Sequence, residues 1–315
     1  LLEELGVDRI EVASARVSEG EFQSVKKIAQ WAQTHGHLNR VEVLGFVDGT
    51  ASLDWISSAG CRVVNLLCKG SLKHCTHQLR KTVEEHLADI KAVIANAGKM
   101  GIKVNIYLED WSNGMRDSEA YVYQMMDELQ HQPIMRYMLP DTLGVLNPDE
   151  TRDFCQRMIS RYPSLHFDFH AHNDYDMAVA NVYEALKAGV KGVHVTVNGL
   201  GERAGNAPLT SVIALIHDHL KLHTNVKENN VYHVSKVVES YSGIRIPNNK
   251  PVIGDNVFTQ VAGIHADGDK KNNLYFNDLM PERFGRTRAY ALGKTSGKAN
   301  ILKNLELLGI ELDDE

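Results

Sequence analysis

The chain has 315 residues, of which 43% are hydrophobic and 23% charged, and its formal net charge is -6. This composition is typical of an ordinary globular protein, and the negative charge disfavours nucleic acid and anionic membranes as partners. No apolar run approaches the roughly 18 residues that a membrane-spanning helix needs, and the first residues lack the basic start of a signal peptide. The sequence therefore predicts a cytoplasmic protein, and the spacing of its four cysteines predicts free thiols.

Short runs rich in Val and Ile alternate with longer segments of helical period from the start of the chain to about residue 220. These runs predict seven strands, at Arg9–Ser14, Val41–Phe46, Arg62–Cys68, Lys103–Asp110, Met135–Thr142, His166–His172 and Gly192–Leu200. The clearest helices are predicted at Thr76–Met100, Ser118–Gln130 and Pro148–Arg161. Such alternation is typical of parallel β/α folds.

The pattern favours a (β/α)8 TIM barrel over the alternative, an open doubly wound sheet. Five of the predicted strands end in polar residues of catalytic type, and barrel active sites gather at the carboxyl ends of the strands. The sequence opens in a helix that ends at Gly6, so we expect the first strand of the barrel to lie upstream of this sequence. We expect a barrel domain over residues 1–222, lacking strand one, and a smaller, mostly helical C-terminal region over residues 223–315.

The most specific motif is His170-Ala171-His172. Alternate residues of a strand point to the same side, so the motif places two imidazoles together at the end of its strand. The plainer interpretation is two histidines bonded to backbone or carboxylates. The neighbouring strand runs into the glycine-rich loop Asn198–Asn206, where the amide oxygen of Asn206 can complete a metal site. Taken alone, this loop also fits a phosphate site at a helix N-terminus, a lid or a tight turn.

These segments, with residues 140–144 and Gly263–Asp267, resemble the metal-dependent acetyl-CoA-condensing barrels that include isopropylmalate, citramalate and homocitrate synthases. The resemblance covers nearly the whole chain and is strongest to citramalate synthases, through residues 107–114 and Asn272–Lys294. It implies condensation of acetyl-CoA with a small 2-oxo acid, followed by thioester hydrolysis, in branched-chain amino acid biosynthesis.

The resemblance also implies roles for individual residues. A divalent metal (Zn, Mn or Mg) is implied at His170, His172 and Asn206. The family adds an Asp ligand and an Arg from a first-strand motif that this sequence does not contain. Glu109 is implied to act on the acetyl group, and Thr142 to hold the carboxylate of the oxo acid, although its hydroxyl can also bond its own backbone. His265 and Tyr275, which alone would be taken for packing residues, are implied to enter the barrel of a partner subunit, so a homodimer is expected.

Substrate choice is implied to depend on Leu44, Leu67 and Tyr107, which face the R group of the oxo acid. All three are large and leave more room for a methyl than for an isopropyl group. They therefore favour pyruvate and citramalate, with 2-oxoisovalerate and isopropylmalate as the alternative, and the two leucines also fit a plain barrel core.

Two other classes remain open. A metal-dependent aldolase or lyase uses the same barrel and motif, but lyases of this kind lack the long tail with His265 and Tyr275. A catalytically inactive relative would take up no metal. Glu11, Glu202 and Arg203 are expected only to shape the site.

Overall fold

The computed structural model describes residues 2–310, which form two compact units. The sheet unit comprises Val7–Pro208, and the helical unit comprises residues 2–6 together with residues 209–310. Helix α1, Leu2–Leu5, ends at Gly6, whose φ of 92° is the left-handed conformation that favours glycine after a helix. Among the described residues, no helix has the length and apolar character needed to cross a bilayer.

The sheet unit is built on a seven-stranded parallel sheet in which the strands follow one another in chain order. Its strands are β1 Ile10–Ser14, β2 Val41–Phe46, β3 Val63–Lys69, β4 Lys103–Glu109, β5 Ile134–Asp141, β6 Phe167–Ala171 and β7 Gly192–His194. Sequential order is the arrangement of a (β/α)8 barrel, whereas a doubly wound sheet reverses its strand order near the centre. The barrel-type fold is therefore confirmed.

Helices connect these strands along the chain. They are α2 Glu19–Thr34, α3 Ala51–Ser58, α4 Val83–Lys99, α5 Trp111–Asp117, α6 Glu119–Leu129, α7 Pro148–Arg161 and α8 Ala178–Ala188. Helix α7 has the predicted bounds because its start is fixed locally. The side chain of Asn147 accepts from the Glu150 N–H at 2.9 Å, and Glu150 accepts from the Asn147 N–H at 3.1 Å.

The prediction of one helix over Thr76–Met100 was wrong. A π-helical turn, His74–Leu79, is followed by Arg80 in the left-handed conformation with φ of 55°. Helix α4 then begins after Thr82, whose side chain and that of Glu85 form a reciprocal capping box. The cap gives the second helix its own start and so separates the two.

The predicted strand over Gly192–Leu200 was too long, because β7 ends at His194. Beyond it, the Ala207 N–H donates to the Ala171 carbonyl at 3.0 Å, and the Thr196 N–H donates to the Ala207 carbonyl at 3.2 Å. Ala207 therefore occupies the hydrogen-bonding position on β6 with which a longer β7 would pair.

A buried polar network lies between the strands. Arg136 forms ion pairs with Glu42 and with Asp168, the latter at 3.2 Å, and all three residues are at most 8% exposed. Burial raises the pKa of Asp168, but the hydrogen bond from His166 and the charges of Arg9 and Arg136 outweigh it, so the pKa lies below its ordinary value. The charges are compensated inside the sheet unit.

The helical unit contains α1, four further helices and a short parallel pair of strands. These elements are α9 Leu209–Asp218, α10 Val231–Ser242, α11 Gly263–Lys270, α12 Lys298–Leu307, β8 Thr259–Gln260 and β9 Ala289–Tyr290. Arg283, whose side chain is 15% exposed, pairs with Asp218 at 2.6 Å and with Glu228, and so ties three segments of this unit together. The mostly helical character predicted for the C-terminal region is confirmed.

Candidate active site

Two histidines and one asparagine meet at the carboxyl end of β6. His170 lies on the strand and His172 directly after it, and their ring centroids are 5.0 Å apart. His172 also forms an isolated antiparallel bridge with Asn206. The structure thus places the His170 and His172 rings side by side and pairs the backbone of Asn206 with that of His172.

Some nitrogen and oxygen atoms of this cluster form hydrogen bonds with the protein, and others do not. The Asn206 Nδ2 donates to the Leu200 carbonyl at 3.1 Å, which directs Oδ1 the opposite way. Both Asn206 Oδ1 and His172 Nδ1 are buried without a hydrogen-bond partner among the described residues. An unsatisfied buried polar atom costs roughly 1–3 kcal/mol. Imidazole nitrogen and amide oxygen are donors that divalent metals accept, so the chemistry of these atoms fits such an ion.

The histidines are held in their neutral form. Burial, followed by the neighbouring His194 and His172, lowers the pKa of His170 well below its ordinary value. Burial and the Arg203 guanidinium lower the pKa of His172. A neutral imidazole keeps the lone pair that ligation requires. Within residues 2–310 no group of three or more His, Cys, Asp or Glu side chains is arranged to hold a metal.

Glycines allow the loop before Asn206 to fold tightly around that side chain. A Cβ on Gly201 would lie 2.4 Å from the Asn206 Nδ2. Gly205 has φ of 83°, and a Cβ there would lie 2.0 Å from the Gly199 carbonyl oxygen. Neither position accepts a larger side chain without movement of the loop.

Arg203 joins this loop to the ends of two strands. Its guanidinium donates to both carboxylate oxygens of Asp174, at 2.7 and 2.9 Å, and to the Thr142 carbonyl at 2.8 Å. The bidentate geometry fixes orientation as well as distance. Arg203 therefore links the loop to Asp174 after β6 and to Thr142 after β5.

Glu109 is paired with a cation that the sequence analysis missed. Lys69 and Glu109 are register partners at the ends of β3 and β4, and their side chains form an ion pair. The Lys69 side chain is 9% exposed and that of Glu109 is 23% exposed. The predicted strands end at Cys68 and Asp110, so the sequence did not show that Lys69 and Glu109 are register partners.

The Thr142 hydroxyl is already engaged as an acceptor. It accepts from the Asp110 N–H at 2.8 Å, directly after β5. Asp110 has φ of 64°, and its carboxylate accepts from Ser71 at 2.7 Å and from Asn113 at 2.8 Å. The hydroxyl hydrogen of Thr142 remains available to donate to an anionic ligand.

Leu44, Leu67 and Tyr107 lie on the same side of the sheet. Leu67 is the register partner of Tyr107, and Leu44 is the partner of Asn65, two residues before Leu67. The Tyr107 hydroxyl donates to Glu11 at 2.9 Å. Burial, then the nearby carboxylates, raises the pKa of Tyr107 well above its ordinary value. The ring is therefore neutral and held in place.

His265 and Tyr275 lie together in the helical unit. Their ring centroids are 4.2 Å apart. The Tyr275 ring packs on Gly268, where a Cβ would lie 2.4 Å from its edge. Tyr275 is 41% exposed, so this aromatic pair is partly open to solvent.

His194 is a second residue that the sequence analysis missed. It is the register partner of His170, and the Nδ1 atoms of the two rings are 3.1 Å apart. Alternation along its own segment gave no signal, because the contact with His170 depends on the register between β6 and β7.

A barrel-type β/α sheet with histidine, carboxylate and lysine side chains gathered at its strand ends is typical of TIM-barrel enzymes. The family comparison agrees. Residues 1–238 match the model of the HMGL-like family, and residues 252–315 match the family described as homocitrate synthase post-HMGL domain-like. The chain belongs to the HMGL-like family.

Its relatives include citramalate, 2-isopropylmalate and homocitrate synthases. An (R)-citramalate synthase of Methanocaldococcus jannaschii is 35% identical over 100% of this chain and 62% of its own length. A 2-isopropylmalate synthase of Sulfurisphaera tokodaii is 33% identical over 100% of this chain and 80% of its own length. The chain spans about 60% of the length of the citramalate synthases that it matches.

The solved structures agree on the fold. The HMG-CoA lyase of Brucella melitensis superposes with a TM-score of 0.65 at 17% identity, covering 76% of this chain and 87% of the lyase. At this identity the likeness supports the barrel-type fold alone.

Proposed function

We propose that the protein condenses acetyl-CoA with a small 2-oxo acid and hydrolyses the resulting thioester, and that its oxo acid is pyruvate and its product citramalate. The observation that carries this proposal is the cluster of His170, His172 and Asn206, in which His172 Nδ1 and Asn206 Oδ1 are buried without a hydrogen-bond partner among the described residues. All of this chain aligns with a citramalate synthase, of which it covers 62%.

The proposed chemistry assigns each group one task. A divalent metal held by His170, His172 and Asn206 would act as a Lewis acid toward the ketone of the oxo acid. Glu109 removes a proton from the acetyl methyl group, whose carbon then attacks the ketone carbon. The ketone oxygen takes up a proton and becomes a hydroxyl. Water then adds to the thioester carbonyl, the C–S bond breaks, and coenzyme A leaves as the thiol.

Glu109 lies between polar groups at the ends of the two adjacent strands. Lys69 places a positive charge beside the carboxylate, at the end of the adjacent strand. Thr142, one strand further, has a hydroxyl hydrogen free to bond the carboxylate of the oxo acid, because its oxygen already accepts from Asp110. Charged and polar groups thus stand on both sides of the proposed reacting centre.

Pyruvate is favoured by the fixed bulk of the pocket wall. Tyr107 cannot swing away without breaking its hydrogen bond to Glu11, and Leu67 lies beside it in register. A methylene more or less in an apolar pocket changes discrimination by about 1–3 kcal/mol. The 2-isopropylmalate synthase relative, which aligns over all of this chain, makes 2-oxoisovalerate the second candidate.

We assign residues 1–222 to the barrel domain and residues 223–315 to a region that contacts a partner subunit. His265 and Tyr275, which lie side by side, would act at the acetyl-CoA end of a partner's barrel. The assembly proposed is a homodimer. The match of residues 252–315 to a domain described for homocitrate synthase supports a synthase over a lyase.

A thiol-release assay tests the reaction. The protein is given acetyl-CoA, a divalent metal and one oxo acid at a time: pyruvate, 2-oxoisovalerate or 2-oxoglutarate. We expect the highest kcat/KM with pyruvate. Preference for 2-oxoisovalerate would replace citramalate by isopropylmalate as the product, and the absence of thiol release with every oxo acid would contradict the condensation itself.

Variants of the wall test the pocket separately. Leu67→Ala should raise kcat/KM for 2-oxoisovalerate relative to pyruvate by about tenfold, since the freed volume accepts the isopropyl group. Leu67→Met, which conserves volume, is the control and should leave the ratio unchanged. If both variants had the same ratio of kcat/KM for 2-oxoisovalerate to kcat/KM for pyruvate, the assignment of Leu67 to the pocket would be contradicted.

A further inference from the structure

His194 stands in direct contact with His170. The two residues are register partners on β6 and β7, with Nδ1 atoms 3.1 Å apart and ring centroids 5.0 Å apart. The His194 ring also lies near Tyr107, at a centroid distance of 6.0 Å. A separation of 3.1 Å between two ring nitrogens is a hydrogen bond, in which one nitrogen carries the proton and the other accepts.

The direction of this hydrogen bond decides whether His170 can bind a metal. If Nδ1 of His194 is the donor, His170 carries its own proton on Nε2, and neither of its nitrogens has a free lone pair. If Nδ1 of His170 is the donor, the lone pair of its Nε2 is free. Only the second arrangement is compatible with ligation.

We propose that His194 is a positioning residue that accepts the Nδ1–H of His170 and thereby fixes the tautomer and ring orientation of this metal ligand. The inference rests on the proposed function, because it assigns His194 a task toward the metal of the same site. In many metalloproteins a carboxylate or a backbone carbonyl accepts this proton; here an imidazole on the next strand does so.

The geometry favours this role over direct ligation by His194. Three imidazoles that bind one ion must converge, yet among the described residues no trio of His, Cys, Asp or Glu side chains does so. The bond from His170 also occupies the His194 nitrogen that lies nearest the cluster. His194 therefore acts through His170.

The test uses two variants that separate the acceptor from the ring. His194→Phe keeps an aromatic ring beside Tyr107 and removes the acceptor. His194→Asn places an amide oxygen near the former Nδ1 and so keeps an acceptor while removing the ring. His172→Ala serves as the control that deletes a proposed ligand, and thermal unfolding of each variant verifies that it is folded.

Zinc affinity by calorimetry is the first readout. We expect His194→Phe to weaken zinc binding about 10–100-fold, the usual effect of losing such a partner, and His194→Asn to stay within about threefold of wild type. Nitrogen-15 NMR of the zinc-loaded protein is the second readout. It should show His170 protonated at Nδ1 in the wild type, with faster exchange of that proton in His194→Phe.

The outcomes separate the two proposals. A wild type that binds no zinc would overturn the metal site, and with it this inference. If the wild type binds zinc, His172→Ala does not and His194→Phe binds like wild type, the inference alone fails. It fails equally if His194→Asn is as weak as His194→Phe, because the ring and not the acceptor would then be responsible.

Discussion

The stability of the sheet unit should depend on the ionisation of one buried histidine. His86 on α4 is 1% exposed, and its Nε2 accepts from the backbone N–H of Lys69 at 3.1 Å. Burial lowers its pKa from 6.5 to about 4, with Asp89 opposing this effect and Lys81 adding to it. Protonation removes the acceptor and places a charge in an apolar interior.

The magnitude follows from the difference between the folded and unfolded pKa values. Between 6.5 and about 4, at 1.36 kcal/mol per unit, the neutral form stabilises the folded state by about 3 kcal/mol. Because the folded pKa is depressed, this contribution is fully present above pH 6.5 and is lost as the pH falls toward 4.

Urea unfolding followed by circular dichroism between pH 7.5 and 4 measures this effect. His86→Gln is the matched variant, because its amide oxygen keeps an acceptor near Nε2 but does not titrate. We expect the difference in unfolding free energy between wild type and variant to change by about 3 kcal/mol across the range, in favour of the variant at low pH. Parallel curves for the two proteins would refute the reasoning.

Two further substitutions address the interior and the loop. Arg136→Met should lower the unfolding free energy by about 3–5 kcal/mol, since it strands buried carboxylates; urea denaturation measures this, and adding Glu42→Gln should recover part of it. Gly205→Ala should cost about 1–3 kcal/mol and weaken zinc binding, because its Cβ meets the Gly199 carbonyl. Gly98→Ala, with no atom within 4 Å of the new Cβ, should instead be neutral or stabilising. Thermal unfolding of both glycine variants measures the difference.

Local signals predicted most of the fold. Strand β2 has the predicted bounds, and α7 does too, because its capping residues Asn147 and Glu150 lie within four positions of each other. The break at Arg80 was missed although the capping box of Thr82 and Glu85 is equally local, since the helical period continues across it. The end of β7 was not predictable from period, because it depends on pairing between segments distant in the chain.

The sequence likewise predicted some contacts of the candidate site and missed others. Alternation along one strand was enough to place His170 beside His172. Lys69 and His194 were missed because each is recognised through a partner on the neighbouring strand, and pairing register is absent from a single run of residues. Which nitrogen of His170 faces His194 likewise depends on side-chain geometry alone.

The register pairs at the strand ends have a consequence for recombination among homologous genes. Lys69 and Glu109 belong to consecutive β/α segments, as do His170 and His194. A crossover placed between the two members of a pair would bring together halves that had diverged separately, whereas one placed before β3 or after β7 would pass each pair on intact. Chimaeras that exchange β3–β4 or β6–β7 as a single block should therefore retain function more often than those that divide the block.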